Sequence, residues 1–339
     1  MNRFITIFIM ALIYTLKSAV RTFPRTLFRG IGQVMFQDSM WTGILFTIGI
    51  FWGAYEEGIG IVAWGLLLGA IVSTLTGYIL QLPDTKGGQG LWGFNGCLVG
   101  CAFPTFLGNT IWMWLALILC AAMTTWVRSG LDNIWGKWKM STFTFPFVLC
   151  TWFFLLAARL FNGMPAINMG TPELPLGTHE ALDMHFWGLV QYWLKGIAQV
   201  FLINSWVTGI FFLAALAVSS WRATLWAAVS SAIALFIVIA WKGPGGDIAN
   251  GLYGFSAVLT GIALGATYCN YSWKSAIWTI IGVIATVFIQ AAMNAFFAPM
   301  GLPTLTGPFC VATWLFLFPA YSFFSPAQPD KSSGQSVKK

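Results

Sequence analysis

Residues 30–46, GIGQVMFQDSMWTGILF, return with few changes as residues 196–212, GIAQVFLINSWVTGIFF. Two more stretches return in the same order along the chain: 90–102 (GLWGFNGCLVGCA) as 251–263 (GLYGFSAVLTGIA), and 142–152 (TFTFPFVLCTW) as 304–314 (TLTGPFCVATW). The offsets are 166, 161 and 162 residues, so one pattern runs twice at a nearly constant distance. Such self-similarity indicates an internal duplication of one architecture.

The chain is too apolar for a soluble globular protein. Of its 339 residues, 58% are hydrophobic and 8% are charged, whereas soluble domains carry about 25% charged residues. Shorter apolar segments, interrupted by glycine, lie at 91–107 and 252–267. Most of the other apolar stretches come close to the ~20 residues that a membrane-spanning helix needs; they are 31–54, 59–82, 111–127, 142–160, 197–219, 223–241, 275–295 and 309–324. The sequence predicts an all-α polytopic membrane protein.

The basic residues predict the topology. The net charge of +7 comes from Lys and Arg spread over the loops without a dense run, which argues against nucleic-acid binding and fits the positive-inside rule. If the N-terminus is cytoplasmic and each half makes five crossings, counting the short segments, 14 basic residues lie inside and only Arg159, Lys195 and Lys242 lie outside. Because five is odd, we expect inverted-topology repeats with one short, half-spanning helix each and a pore between them.

These crossings divide the chain into five parts and place both termini in the cytoplasm. Repeat 1 covers 30–160 and repeat 2 covers 196–324, joined by an extracytoplasmic segment at 161–195. Residues 1–29 are predicted to form a cytoplasmic or interfacial segment. Residues 325–339 are polar and rich in Pro and Ser, which predicts a disordered cytoplasmic tail.

The paired motifs GLWGFN and GLYGFS follow glycine-rich approaches, as expected for a short helix that starts inside the membrane. Four residues after each Phe comes a Leu, so Phe94 lies one helical turn from Leu98, and Phe255 from Leu259. We expect each pair to present an aromatic face above a branched aliphatic side chain. The alternative is that the glycines only allow helices to pack closely.

Two amides recur at equivalent positions in apolar stretches, Gln33 and Gln199. Because an amide in hydrocarbon is costly without partners, each should face another helix or a wet path. Interhelical hydrogen bonding is the alternative, although recurrence in both halves favours the path. Asp38 and Asn204 also correspond, and a carboxylate that matches an amide indicates hydrogen bonding rather than proton transfer.

The third pair of motifs is Thr-x-Pro, with Thr144 before Pro146 and Thr306 before Pro308. In a membrane helix, proline frees a carbonyl one turn back, so each motif sets a hydroxyl beside exposed carbonyl oxygens. A single such motif usually means only a kink. In inverted repeats the two would put hydroxyls near the middle of the membrane.

Residue types that perform chemistry are missing from the predicted spans. Only Asp38 is acidic well inside a span, and His179 and His185 share the outside loop. No spacing of ligands indicates a metal or other cofactor, no cluster at one membrane face indicates an enzyme, and the six Cys read as small core residues. We therefore expect a passive path for a neutral polar solute.

From Gly30 to Phe316 the chain resembles the urea transporter family, most closely its short bacterial members, through the paired GFN/GFS, GIxQV and T-x-PF motifs. The resemblance implies a homotrimer in the cell (inner) membrane, in contact with lipid, whose protomers each carry urea down its gradient. It also implies two urea sites, each a slot between facing Phe rings beside a ladder of backbone carbonyls, with a Thr-lined constriction between them.

The resemblance assigns these roles to particular residues. The inner slot would pair Phe94 with Phe255, closed by Leu98 and Leu259. The outer slot would use Phe36 with two amide partners, and the constriction two Val and two Thr; these are Gln33, Gln199, Val34, Val200, Thr144 and Thr306. Leu202 stands where the family pattern has Phe, so either Leu202 or the adjacent Phe201 completes the outer slot. An ammonia or ammonium channel, which would need histidines in the membrane, and a small-amide channel are the alternatives.

Overall fold

A computed structural model describes residues 22–83, 88–138, 140–175 and 182–323. The predicted tail at 325–339 and most of the N-terminal segment 1–29 lie outside the described residues. The described residues form helices and no named strand; one isolated β-bridge joins Leu107 to Ala166. This architecture confirms the all-α prediction.

The helices follow the order of the duplicated motifs. In the first half they are α1 (22–33), α2 (Met40–Glu56), α3 (Ile61–Ile79), α4 (Gly93–Phe106), α5 (Ile111–Trp135) and α6 (Phe145–Ala158). In the second half they are α7 (Phe186–Ala198), α8 (Trp206–Ser219), α9 (Trp221–Ala240), α10 (Gly245–Ala249), α11 (Gly254–Ile262), α12 (Trp273–Phe297) and α13 (Gly307–Phe323). Helix α11 continues as a π-helix over Ala263–Tyr268.

The fold contains both long and short helices. Among the described residues four helices are long and apolar enough to cross a membrane: Ile61–Ile79, Ile111–Trp138, Trp221–Ala240 and Trp273–Met300. Other helices are too short to cross it. The 14 residues of α6 make a rod of about 21 Å, which is shorter than the ~30 Å hydrocarbon core. The chain is a multi-pass membrane protein, and several of its described helices are shorter than the hydrocarbon core is thick.

The apolar stretches 31–54 and 197–219 do not form single straight helices. Both stretches break at a residue with left-handed backbone, Phe36 (φ 63°) and Leu202 (φ 59°). In the second half the two pieces, Phe186–Phe201 and Trp206–Ser219, meet at a bend of 71°. A hydropathy window misses this because both sides of the break are equally apolar.

The break also relocates Asp38, which we expected inside a span. Asp38 lies in the segment between α1 and α2, where it is 43% exposed, and its Oδ1 is 3.2 Å from Arg29 Nε. The predicted repeat boundaries at 29/30 and 195/196 fall inside α1 and α7. The helix that opens each half therefore begins before the boundary drawn from sequence.

Two glycines bring each opening helix against the loop before the short helix. Gly90 (φ 79°) and Gly251 (φ 70°) have left-handed backbone. A Cβ on Gly90 would lie 2.2 Å from Gly30 N, and one on Gly251 would lie 2.5 Å from Gly196 N. The glycines of GIxQV and GLxGF thus touch in both halves. This is the close packing that the sequence analysis gave as the alternative role of the glycines. The short helices start right after them, at Gly93 and Gly254.

The two halves contact each other reciprocally. Thr42 Oγ1 donates to Ala215 O (3.0 Å), and the equivalent Thr208 Oγ1 donates to Gly49 O (2.8 Å). These bonds join the start of α2 to the end of α8 and the start of α8 to the middle of α2, so the equivalent helices are antiparallel. Exchange of partners between equivalent residues is typical of a two-fold relation.

A second reciprocal pair of hydrogen bonds lies near the starts of α6 and α13. Trp152 Nε1 donates to Pro303 O (2.9 Å), and Trp314 Nε1 donates to Ser141 O (3.0 Å). The tryptophan of α6 therefore bonds to the segment before α13, and the tryptophan of α13 bonds to the segment before α6. The six cysteines are free; five are buried and Cys269 is partly buried, in agreement with a core role.

Candidate functional site

The N-termini of α6 and α13 meet in the interior of the protein. Thr144 Oγ1 and Thr306 Oγ1 are 2.6 Å apart, and Cys310 Sγ lies 3.4 Å from the Thr144 hydroxyl. Both threonines are nearly fully buried. Pro146 lies in the first turn of its helix, where a missing N–H costs nothing. The Thr-x-Pro motifs therefore lie at the starts of helices, whereas we expected them inside membrane helices, where proline frees a carbonyl one turn back.

On one side of the threonine pair lies a smaller cavity of about 130 Å³. Its wall includes five of the residues that the sequence singled out: Gln33, Val34, Phe36, Phe94 and Thr144. The second half contributes Thr267, Tyr268 and Phe309, so the cavity lies on the seam between the halves.

On the other side lies a larger cavity of about 650 Å³. Its wall includes the equivalents of those five residues, Gln199, Val200, Leu202, Phe255 and Thr306. Phe147 of the first half is present here, just as its equivalent Phe309 is present in the smaller cavity. The structure thus brings together ten of the twelve candidate residues, as two equivalent sets of five.

The predicted pairing of Phe94 with Phe255 is wrong, because the two rings line different cavities. The same is true of Gln33 and Gln199. Each amide is tied to its own half: Gln33 Nε2 donates to Gln89 O (3.2 Å) and Gln199 Nε2 donates to Asn250 O (2.9 Å). These residues at equivalent positions of the two halves therefore play the same part in two separate cavities, and they do not contact each other.

Leu202 and not Phe201 corresponds to Phe36. Leu202 lines the larger cavity and shares the left-handed backbone of Phe36, whereas Phe201 is fully buried against Phe46 and Phe212, with ring centroids at 5.6 and 5.2 Å.

The two remaining candidates, Leu98 and Leu259, are fully buried. Neither appears on the wall of the two cavities. Each lies on its short helix, α4 or α11, among the residues of the hydrophobic core. The structure gives them a packing contact rather than a place at the cavity surface.

Sequence reasoning missed an aromatic cluster around Phe36. Its ring centroid lies 6.2 Å from Phe143, 6.0 Å from Tyr268 and 6.0 Å from Phe309. Phe143 has left-handed backbone (φ 50°), as does its equivalent Leu305 (φ 52°) in the larger cavity. The aromatic residue beside Thr144 in TFTFPF was the only sequence signal for this cluster.

The larger cavity carries acidic side chains at its wall, Glu57 and Asp247. Partial burial raises the pKa of Glu57 above its ordinary value, against the lowering effects of a backbone hydrogen bond from Asn204 and of the Lys195 charge. The smaller cavity carries Arg128 instead. Within the described residues, no group of three or more His, Cys, Asp or Glu is arranged to hold a metal ion.

Comparison with known proteins gives the family of the chain. The family described as "UT: Urea transporter" matches residues 25–321. Urea transporter 1 of Ovis aries is 30% identical over 297 residues, which cover 85% of this chain and 75% of that protein. Urea transporter 1 of Rattus norvegicus is 28% identical over 310 residues, covering 89% and 78%. The chain therefore belongs to the urea transporter family, whose members are membrane transport proteins and not enzymes.

Proposed function

We propose that the protein conducts urea passively across the membrane, along a path that joins the two cavities at Thr144 and Thr306. The observation that carries the proposal is that one threonine pair separates two cavities with equivalent walls. The family match over most of the chain supports urea as the solute. Transport needs no cofactor or energy source, because binding sites that are weak on both sides of a barrier allow entry and exit.

The chemistry of the walls suits a flat, neutral amide. Ring faces of Phe36 and Phe94 on one side, and of Phe255 on the other, favour a planar solute over a bulky one. Urea also needs acceptors for its N–H groups. The helix breaks at 34–38 and 202–204 interrupt the regular bonding of carbonyls to the next turn, and we propose that carbonyls of these breaks form the acceptor ladders.

We further propose that the halves are inverted repeats. The proposal is supported by the antiparallel packing of the equivalent helices α2 and α8 and by the exchanged hydrogen bonds of Trp152 and Trp314. A two-fold axis perpendicular to those helices turns one half upside down relative to the other. Equivalent cavities on opposite sides of the membrane then follow directly.

Assembly and placement complete the proposal. We propose a homotrimer in the inner membrane with both termini in the cytoplasm, on the basis of family likeness and of the inside excess of basic residues. Exposed aromatic side chains on α5, Trp112 and Trp126, would face lipid or a neighbouring protomer. Light scattering of the purified protein with correction for detergent measures the trimer directly.

Stopped-flow urea efflux from proteoliposomes that contain the full chain tests the function. We expect efflux that is faster than from empty liposomes, unaffected by a proton ionophore, and faster than that of glycerol, which is similarly small but not planar. Ammonium, formamide and thiourea are the comparison solutes for the alternative channels. Urea efflux no faster than that of glycerol would contradict the proposal.

A further inference from the structure

Arg128 is an unexpected residue on the wall of the smaller cavity. Its side chain is only 11% exposed. Its guanidinium carbon lies 4.7 Å from the ring centroid of Trp92 and 5.1 Å from that of Phe94, so a charge stacks against a candidate slot ring. Arginine keeps this charge throughout the physiological pH range.

The guanidinium of Arg128 is held on one side by an ion pair. Arg128 Nε lies 3.2 Å from Asp132 Oδ2, and Thr142 Oγ1 donates to the other carboxylate oxygen at 2.9 Å. Asp132 does not line the cavity, whereas Arg128 does. The carboxylate therefore holds the guanidinium from behind. Among the described residues Arg128 Nη1 is buried without a hydrogen-bond partner, so Asp132, on the Nε side, is the partner that compensates part of this charge.

The second half shows that the fold does not need this charge. At the equivalent positions stand three neutral residues, Gln290, Asn294 and Thr304. Gln290 Nε2 donates to Thr304 Oγ1 at 2.7 Å and to Asn294 Oδ1 at 2.9 Å. One half thus builds with amides the cluster that the other half builds with an ion pair, and only one cavity acquires a cation.

The charges of the two cavities are opposite. Glu57 and Asp247 line the larger cavity, and an acidic mouth raises the local concentration of cations. A cation that enters there meets a fixed positive charge beyond the threonine pair. A neutral solute feels neither effect at first order, so the charge discriminates by sign and not by size.

We propose that Arg128 is a specificity-determining residue that makes the smaller cavity reject cations, so that the path excludes ammonium and its substituted analogues while neutral amides pass. This inference rests on the proposed path through the smaller cavity. It assigns to Arg128 a role in selecting against charge, and to Asp132 the positioning of the guanidinium.

The test replaces the charged pair by the residues of the second half, in Arg128→Gln/Asp132→Asn. Proteoliposomes with the full chain are assayed for urea efflux and for uptake of radiolabelled methylammonium, and the readout is the ratio of the two permeabilities. We expect methylammonium permeability relative to urea to rise about tenfold, because the guanidinium that is removed lines the cavity and the carboxylate that is removed with it does not. Arg128→Lys, which keeps the charge, should leave the ratio near that of the wild type.

Lys137→Gln is the matched control, because Lys137 is exposed and does not line the cavity. It removes the same charge near the same helix end and should not change the ratio. An unchanged ratio in both Arg128→Gln/Asp132→Asn and the single variant Arg128→Gln would overturn the inference. If the wild type passes no urea while these variants gain methylammonium uptake, the proposed function fails and the role of Arg128 stands.

Discussion

The smaller and larger cavities are lined by equivalent positions. Two pairs of these positions share a left-handed backbone conformation but carry different side chains. Phe36 and Leu202 share a left-handed turn at φ 63° and 59°, and Phe143 and Leu305 share another at 50° and 52°. The first cavity places aromatic rings at these positions and the second places leucines. Left-handed backbone is costly for such residues, so its persistence in both halves indicates that the turn itself is required, while the side chain that it carries is free to specialise.

This difference suggests a division of labour between the cavities. The larger cavity, of about 650 Å³, has acidic, amide and aliphatic side chains beside the rings of Phe147 and Phe255, whereas the smaller one, of about 130 Å³, is richer in aromatic side chains and carries Arg128. A wide cavity collects solute, and a narrow one with fixed groups discriminates between solutes. The threonine pair gives one residue to each cavity, Thr144 to the smaller and Thr306 to the larger. Changing both threonines should therefore have the largest effect on transport.

Replacing both threonines, in Thr144→Val/Thr306→Val, should have the largest effect. Valine has a similar shape but no hydroxyl, so the solute loses a hydrogen-bonding partner where the path is tightest. We expect urea efflux to fall about tenfold, the cost of roughly one hydrogen bond at the barrier. Stopped-flow efflux from proteoliposomes measures it.

The single variants Thr144→Val and Thr306→Val serve as controls for the double variant. Because the two hydroxyls lie 2.6 Å apart and bond to each other, we expect equal losses in the two single variants despite the different cavity walls. Wild-type flux in the double variant would remove the hydroxyls from the path. Unequal single variants would show that one cavity dominates the barrier.

Exchanging the wall residues should have an intermediate effect. Phe36→Leu gives the smaller cavity the residue of the larger one, and it loses ring contacts with Phe143, Tyr268 and Phe309. We expect the urea concentration that half-saturates the flux to rise about three- to tenfold, the scale of one aromatic interaction.

Leu202→Phe makes the reverse exchange and should lower that concentration by a smaller factor, since the larger cavity is too wide for a second ring to close on the solute. Phe153→Leu on the exposed face of α6 is the matched control and should change nothing. If Phe36→Leu leaves half-saturation unaltered while Leu202→Phe shifts it, the discriminating cavity is the larger one and the assignment reverses.

Sequence reasoning predicted what depends on local pattern. The starts of the short helices at Gly93 and Gly254 follow glycine clusters, and the recurrence of Gln33 and Thr144 identified cavity residues from one chain alone. It failed where tertiary packing decides. Phe36 carries no signal for left-handed backbone, which is normally the property of Gly or Asn.

Arg128 shows the same limit from another direction. At the end of a membrane helix it read as a topological charge, because nothing local reveals that it folds back onto the ring of Phe94. Comparison of the halves could have revealed it, since Gln290 stands at the equivalent position. A charged residue in one repeat at the position where the other repeat has an amide indicates a specialised function.

The smallest expected effect concerns the acidic wall of the larger cavity. Because partial burial raises the pKa of Glu57 above its ordinary value, the ionised carboxylate is less favourable in the folded protein than in the unfolded chain. The folded state is thus penalised at pH values above the raised pKa. The penalty is relieved as the pH falls through that value towards the ordinary one.

Glu57→Gln should therefore raise the thermal midpoint slightly at pH 7 and flatten its rise on mild acidification, as measured by thermal unfolding in detergent across that range. Glu173→Gln is the matched control, because Glu173 is exposed and does not line the larger cavity, and it should leave the midpoint unchanged. Identical pH profiles in the wild type and Glu57→Gln would mean that Glu57 ionises as freely as in water. The acidic character of the larger cavity would then act only through its field, in contrast with the buried charge of Arg128.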